Sequence, residues 1–180
     1  MADIMLDIET LGTCPDCVVL TVGAVKFNPY VLGDIGEGLY CKPDVDDQIV
    51  KGRIVREDTM DWWSQQAADV REEALGTEGR IAVEDMLKQL NRFLVGADTV
   101  WAQGTVFDIG ILEHLYKQYG MVANWQYWQI SDSRTIFKVH GDPRVKGKEG
   151  LHNALEDCVS QAQAVQKIFN KLGITSKWNK

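Results

Sequence analysis

Hydrophobic positions near the start of the chain predict three strands in succession. The apolar segment IMLDI, residues 4–8, predicts the first strand, and the valine-rich segment Val18–Phe27 predicts the second. A third strand is predicted around Gly38–Lys42. Because short connections separate these segments, we expect them to form an antiparallel meander.

After Pro43 the hydrophobic pattern changes to helical periods that single strands interrupt. The predicted helices are Thr59–Ala67, Val83–Leu94, Asp108–Tyr119 and Asn153–Leu172. The predicted strands are Thr99–Gln103 and Trp125–Ile130. Gly120 and Gly173 follow two of these helices as suitable C-terminal caps. A meander followed by alternating strands and helices predicts a mixed α/β sheet with helices on its faces.

Length and composition predict one compact domain over residues 1–180. The chain has 180 residues and 45% hydrophobic content, which is enough for one full core. No segment holds the roughly 18 apolar residues of a membrane span, and the acidic N-terminus MADIMLDIET has no signal-peptide pattern. We therefore expect a cytoplasmic protein without a membrane partner.

The charge balance limits how the protein could bind nucleic acid. A net charge of -7 argues against broad wrapping of nucleic acid by a basic surface. It leaves open a nucleic-acid enzyme that grips only a strand end and whose acidic centre is neutralised by metal ions.

The cysteine motif CPDC, residues 14–17, is interpreted as a turn. A four-cysteine zinc site would show a second closely spaced pair, and Cys41 and Cys158 are isolated. A redox CxxC motif would precede a helix, whereas the next segment, VVLTVGAVKF, predicts a strand. Pro15 and Asp16 are typical turn residues.

Two carboxylates lie in the first predicted strand. Because side chains alternate along a strand, Asp7 and Glu9 point to the same side. Buried charges need a counter-charge, and a divalent metal ion is the obvious one. The alternative is an edge strand whose acidic side meets water.

Three more residues extend this pattern. Asp108 follows a predicted buried strand at the start of a helix, where it could instead be an ordinary cap. Asn153 can cap the last helix with Glu156 at capping-box spacing, which places Asp157 one turn inside and His152 just before the cap. Taken singly, His152 could be a surface histidine and Asp157 a carboxylate stabilised by the helix dipole.

Together, these five residues match the needs of two-metal phosphodiester hydrolysis. Mg²⁺ and Mn²⁺ prefer oxygen ligands, and a pair of ions can activate a water and stabilise the leaving oxygen. Histidine side chains titrate near neutral pH, so His152 could take the proton from the attacking water.

The motifs LDIETLG, the FD of VFDIGIL and HNALEDC, in that order, resemble the three motifs of the DEDDh 3′→5′ exonucleases. This superfamily has the ribonuclease H-like fold and includes polymerase proofreading subunits and oligoribonucleases. The resemblance covers roughly residues 4–165, and DTMDWWSQQ and SDSRTIF are similar to the branch of phage exonucleases and the nuclease domain of exonuclease VIII.

The resemblance implies a role for each acidic residue. Asp7, Glu9 and Asp157 would hold the metal ion on the nucleophile side, and Asp7 and Asp108 the ion on the leaving-group side. His152 would be the general base. Many relatives have Asn four or five residues before the third acid, where this chain has Gly104 and Gln103, so Gln103 could substitute as a polar contact.

Candidate substrate contacts lie around these motifs. In relatives the turn that follows the DxE motif touches the terminal nucleotide, and Leu11 is the candidate wedge against the last base, with a core leucine as the alternative. Trp62 and Trp63 lie about 100° apart on a predicted helix, so Trp62 could stack on a base while Trp63 packs with Met60 and Ala67. The predicted substrate contacts are Thr10, Leu11, Gly12, Trp62, Gln66, Gln103, Phe107 and Arg134, and further phosphate contacts are Arg144, Lys146 and Lys148.

The predicted function is therefore removal of nucleotides from 3′ ends of single-stranded nucleic acid, with two divalent ions, Mg²⁺ or Mn²⁺, as cofactors. Resemblance to the phage branch favours DNA, and an exoribonuclease with the same site is the alternative. A catalytically silent module that binds nucleic-acid ends is an alternative of another class, although a pure binder has no need of four clustered carboxylates. A homodimer is possible, because the tryptophans could serve an interface or a core.

Overall fold

The computed structural model describes residues 2–144 and 152–177. Within these ranges, six strands form one sheet in the order β4-β3-β2-β1-β5-β6. The strands are β1 (Ala2–Thr10), β2 (Val19–Phe27), β3 (Ile35–Pro43), β4 (Arg80–Ile81), β5 (Ala97–Ala102) and β6 (Ile130–Asp132). The first three form an antiparallel meander, whereas β5 pairs in parallel with both β1 and β6. This arrangement is the ribonuclease H-like mixed sheet that the sequence predicts.

The described helices lie on both faces of the sheet. They are α1 (Val45–Val50), α2 (Glu57–Ser64), α3 (Ala68–Leu75), α4 (Val83–Phe93), α5 (Thr105–Gln118), α6 (Ser133–His140) and α7 (Ala154–Lys171). Among the residues described, no helix is both long and apolar enough to cross a membrane.

Both faces of β1 are buried, in two different cores. Ile4, Leu6 and Ile8 pack with the apolar residues of α4 and α5, whereas Met5 packs with those of α6 and α7. Because side chains alternate along β1, Asp7 and Glu9 point to the same side as Met5, which is the side that α7 covers. The predicted common orientation of the two carboxylates is confirmed.

Three predicted helix-end signals are confirmed. The Asn153 side chain accepts hydrogen bonds from the backbone N–H groups of Leu155 and Glu156, as an N-cap of α7 does. Gly120 and Gly173 follow α5 and α7 with φ of 64° and 68°, the left-handed conformation that favours glycine.

Three boundary predictions are wrong. The helix predicted over Thr59–Ala67 ends at Ser64, because the chain turns at Gln65 and a separate helix begins at Ala68. Trp125–Ile130 is not a strand: a 3₁₀ turn, Tyr127–Gln129, precedes the short β6, because Gln126 and Gln129 cap each other across this turn. The helix predicted to start at Asp108 begins at Thr105, whose N–H donates to Asp132 of β6. Asp108 therefore lies inside the first turn and is not the cap.

The CPDC segment is a turn, as predicted. The Cys17 N–H donates to the Cys14 carbonyl at 3.1 Å, and the Cys17 side chain is buried in the core that α4 and α5 share. The four cysteines are free thiols.

Gly23 lets α7 approach the sheet very closely. It is the register partner of Asp7 in the β1–β2 pair. A Cβ atom at this position would lie 2.3 Å from the Ala154 carbonyl carbon and 2.5 Å from the Leu155 nitrogen. The backbone at the start of α7 therefore rests directly on β2, next to Asp7.

We predict that Gly23→Ala lowers the free energy of unfolding by about 1–3 kcal/mol, because the added methyl meets rigid backbone. Gly36→Ala in β3 is the matched control, since its Cβ would come no closer than 3.4 Å to its nearest neighbour atom. Urea unfolding curves of the two variants and the wild type would measure the difference. Equal losses in both variants would contradict the close approach of α7.

Candidate active site

Three carboxylates converge where β1 ends and α7 begins. Asp7 and Glu9 come from β1, and Asp157 comes from the first turn of α7. One carboxylate oxygen from each of the three residues lies within 4.8 Å of the other two. Carboxylate oxygens at this spacing can share one divalent cation, and such hard oxygen ligands suit Mg²⁺ or Mn²⁺.

Asp108 faces the same cluster from α5. It is 3% exposed, and its carboxylate accepts a hydrogen bond from the backbone N–H of Ile8. This bond ties the first turn of α5 to β1 between Asp7 and Glu9. Asp108 lines the same cavity as Asp7, and its charge raises the pKa of the Asp7 carboxyl group.

A cavity of about 470 Å³ contains this cluster. It brings together all five residues predicted to be catalytic. The residues that line it are Asp7, Ile8, Glu9, Gln103, Phe107, Asp108, Arg134, Asp142, Arg144, His152, Asp157 and Gln161.

Three carboxylates of this cavity, those of Asp7, Glu9 and Asp108, hold protons more tightly than ordinary ones. Burial, followed by repulsion from Asp7, raises the pKa of Glu9 from its ordinary 4.5 to about 9. Burial also raises the pKa of Asp108 to about 7. Burial and then the Asp108 charge raise the pKa of Asp7, which a hydrogen bond from Gln161 lowers. A divalent cation at this place would supply the positive charge that the group requires.

His152 lies at the edge of the cavity against two tryptophans. Its ring contacts Trp62 edge to face, with centroids 4.8 Å apart, and Trp63 at 6.2 Å. Its backbone φ is 47°, which is uncommon for a residue other than glycine. The tryptophan pair therefore limits the positions that the imidazole can take.

The two tryptophans divide as predicted into one buried and one exposed side chain. Trp63 is 1% exposed and its ring N–H donates to the Thr10 carbonyl at 3.0 Å, whereas Trp62 is 41% exposed. The buried residues that pack with Trp63 are Leu11, Val18, Leu20, Val70 and Ala74, and neither predicted neighbour, Met60 or Ala67, is among them. Met60 lies one turn before Trp63 on α2 and is 40% exposed, and Ala67 is exposed beyond the end of that helix.

A second cavity, of about 360 Å³, adjoins the first. Ile8, Glu9 and Phe107 line both cavities. The second is lined in addition by Thr10, Gly12, Thr13, Asp58, Thr59, Trp62 and Trp63. Four of the predicted substrate contacts, Thr10, Gly12, Trp62 and Phe107, therefore surround one apolar space beside the acidic cluster.

The structure does not bring Leu11 and Gln66 to these cavities. Leu11 is 5% exposed and packs in the core with Trp63 and Leu20, so its apolar surface is already used and it is not a wedge in this structure. Gln66, two residues after the end of α2, donates to the Trp62 carbonyl of that helix. Within the described ranges, Gln66 is not among the residues that line either cavity.

Gln103 and the two arginines line the same cavity as the acidic cluster. The Arg134 guanidinium donates to the Gln103 carbonyl at 2.6 Å, while the Gln103 side-chain oxygen is buried without a partner among the described residues. Arg144 pairs with Asp142 and lies over the Phe137 ring. Lys146 and Lys148, the other predicted phosphate contacts, lie outside the described residues.

Sequence reasoning missed Gln161 and the role of Gly23. The Gln161 amide donates to Asp7 at 2.9 Å from α7. The signal was its position four residues after Asp157, which places both side chains on one face of a helix. Gly23 had no such signal. Its contact with the start of α7 depends both on the pairing of β1 with β2 and on where α7 packs on the sheet.

The fold and the site define a member of the DEDDh exonuclease superfamily, whose enzymes use divalent metal ions. The chain belongs to the family described as the 3′-5′ exoribonuclease Rv2179c-like domain, whose model matches residues 2–169.

Individual relatives agree with this assignment. An exodeoxyribonuclease of Enterobacteria phage T4 is 26% identical over 131 residues, which are 65% of this chain and 56% of the phage protein. Exonuclease I from Methylocaldum szegediense has a similar fold, with a TM-score of 0.64 and 13% identity over 96% of this chain and 41% of that one. The nuclease domain of 3′hExo, a DEDDh family member bound to rAMP, has a TM-score of 0.55 and 10% identity, and the match covers 99% of this chain and 96% of that one. The chain thus spans about half the length of the phage relative, at 56%, and 41% of the exonuclease I chain.

We predict that the metal-free protein loses stability as pH rises from about 5 to about 9, and that Glu9→Gln weakens this loss. A folded-state pKa near 9 lies above the unfolded value of 4.5, so the stabilising contribution of Glu9 is complete below about pH 4.5. It falls by at most about 1.4 kcal/mol per pH unit until the pH passes the folded-state value.

Urea unfolding in chelator across this pH range would measure the effect. Glu57→Gln, which removes an exposed carboxylate on α2, is the control. If Glu9→Gln and the wild type lost stability equally with pH, the raised pKa of Glu9 would be contradicted.

Proposed function

We propose that this chain hydrolyses phosphodiester bonds at 3′ ends of single-stranded nucleic acid, with two divalent metal ions. The observation that carries the proposal is the convergence of four carboxylates in one cavity, three of them with oxygens within 4.8 Å of one another. Such a cluster destabilises the fold in the absence of a cation, since each acid is partly or fully buried beside others of the same charge.

The acids would be divided between two ions. Asp7, Glu9 and Asp157 would hold one of them, as their common spacing supports, and Asp7 with Asp108 would hold the other. When bound, Mg²⁺ or Mn²⁺ supplies an activated water and stabilises charge on the leaving oxygen.

His152 would receive the proton of the attacking water on an imidazole nitrogen. Contact with Trp62 and Trp63 holds its ring at the edge of the acidic cavity. Arg134 and Arg144 line the same cavity and would contact the phosphate groups of the strand.

The adjoining cavity supports an unpaired end as the substrate. Trp62 and Phe107 offer aromatic surface beside Glu9, where a terminal base could stack without sequence-specific contacts. A net charge of -7 also favours capture of an end over binding along a duplex.

Both DNA and RNA are candidate substrates. The phage relative is an exodeoxyribonuclease, in agreement with the preference for DNA that the sequence suggests. The family description names exoribonucleases, and its model covers more of the chain. We propose single-stranded DNA first, with RNA as the second candidate.

We expect matched single-stranded DNA and RNA with a 5′ label to shorten from the 3′ end in Mg²⁺ or Mn²⁺, and to stay intact in chelator. Asp7→Asn should remove the activity, because it changes the residue assigned to both ions. Asp69→Asn, at an exposed position of α3, is the matched control and should keep it.

The oligonucleotide that shortens faster, DNA or RNA, would identify the preferred substrate. Intact label under all conditions, together with retention of labelled strand on the protein, would instead favour the silent end-binding module.

We predict that His152→Gln lowers kcat by about 10²–10⁴, the usual contribution of a general base, with little change in metal affinity. His140→Gln, at the end of α6, is the control. Single-turnover kinetics at saturating Mg²⁺ would separate the chemical step from product release. An unchanged single-turnover rate for His152→Gln would assign the proton to another acceptor.

A further inference from the structure

Gln161 is a buried residue of α7 that lines the acidic cavity and makes direct contact with Asp7. It is 4% exposed, and its Nε2 donates to Asp7 Oδ1 at 2.9 Å. Asp157 lies four residues earlier on the same helix, so the two side chains reach the cavity from successive turns. The amide thus joins α7 to the end of β1 inside the acidic cluster.

The other end of the same amide lacks a partner. Within the described ranges, Gln161 Oε1 is buried and accepts no hydrogen bond. A buried acceptor without a donor costs about 1–3 kcal/mol. An apolar side chain of the same length would fill this space without that cost, so packing alone does not account for a glutamine here.

Gln166 shows what a structural glutamine looks like on the same helix. It is 1% exposed, its Nε2 donates to the carbonyls of Asn28 and Asp34, and its Oε1 accepts from the Gly33 N–H. Both ends of that amide are satisfied, and it joins the β2–β3 loop to α7. Gln161, by contrast, makes one hydrogen bond among the described residues, and its acceptor is the Asp7 carboxylate.

A neutral donor is the side chain that this place requires. The Asp7 carboxylate accepts from Gln161 through one oxygen, which limits its rotation and leaves the second oxygen for a cation. A lysine or arginine could make the same bond, but its positive charge would compete with the cation for the carboxylates. Groups that orient metal ligands in this way commonly contribute 10–100-fold to metal affinity.

We propose that Gln161 is a positioning residue of the metal centre, which fixes the Asp7 carboxylate in the orientation that binds divalent cations. This inference rests on the proposed two-metal function, and its readout is metal affinity in the absence of any nucleic acid.

The test compares Gln161→Met with Gln166→Met in the full chain. Methionine keeps the length and apolar stem of glutamine and removes its hydrogen bonds. Isothermal titration with Mn²⁺ should show a dissociation constant about 10–100-fold higher for Gln161→Met. Gln166→Met should lower the urea midpoint of unfolding and leave the dissociation constant within twofold of the wild type, a separation that a merely structural Gln161 would not give.

A second variant covers the case in which Gln161→Met does not fold. Gln161→Asn keeps a buried amide but is one methylene too short to reach Asp7, so it should show the same loss of affinity. If a folded Gln161→Met or Gln161→Asn protein bound Mn²⁺ within twofold of the wild type, the positioning role would be overturned.

Failure of this inference and failure of the proposed function give different results. Hydrolysis by the wild type, with unchanged Mn²⁺ affinity in the Gln161 variants, would keep the nuclease function and overturn the positioning role. Intact oligonucleotides, with Mn²⁺ affinity that depends on Gln161, would keep the positioning role and overturn the nuclease function. A wild type that binds no Mn²⁺ would overturn both.

Discussion

The contact between the start of α7 and the Gly23 backbone is the constraint on which the site depends. Gly23 is paired with Asp7, so a helix that rests on Gly23 must place its first turns beside the carboxylates of β1. Small side chains on the buried face of α7, among them Cys158 and Ala162, extend this close packing along the sheet. The distance between Asp157 and Asp7 is thus set by backbone packing, which varies less than side-chain rotamers do.

The acidic cluster is held against its own repulsion by the cores on both faces of the sheet. Ile8 lies between Asp7 and Glu9 with its side chain in the core of α4 and α5, and its N–H holds Asp108. The apolar residues of β1 therefore fix the backbone from which the acids project. Functional sites commonly destabilise the folded state, and the packing of the surrounding scaffold offsets that loss.

How far the sequence could predict this protein depended on whether a feature was local. The meander, the three long helices α4, α5 and α7, and the common side of Asp7 and Glu9 followed from periodicity, and Asn153 identified the start of α7 by its capping chemistry. Asp108 was placed at the right element but at the wrong position in it, because the start of α5 is set by Asp132 from a distant strand.

The features that sequence reasoning missed depend on tertiary contacts. Leu11 follows the acidic motif directly and still packs in the core, since α2 and α3 bring Trp63 and Ala74 over it. The hydrogen bond from Gln161 to Asp7 joins residues 154 positions apart. The Leu11 contact has no signature in the local pattern of the chain, and the only local signal for Gln161 is its spacing of four residues from Asp157.

The edge-to-face contact of His152 with Trp62 gives the site an optical signal of its own. Indole fluorescence is quenched by a protonated imidazole in contact with it, and among the tryptophans that the structure describes, Trp62 and Trp63 are the two whose rings lie against His152. The emission of this pair is therefore sensitive to whether the imidazole carries a proton and to whether it stays in place. A chain in which the other four tryptophans were replaced by phenylalanine would report both events without any label.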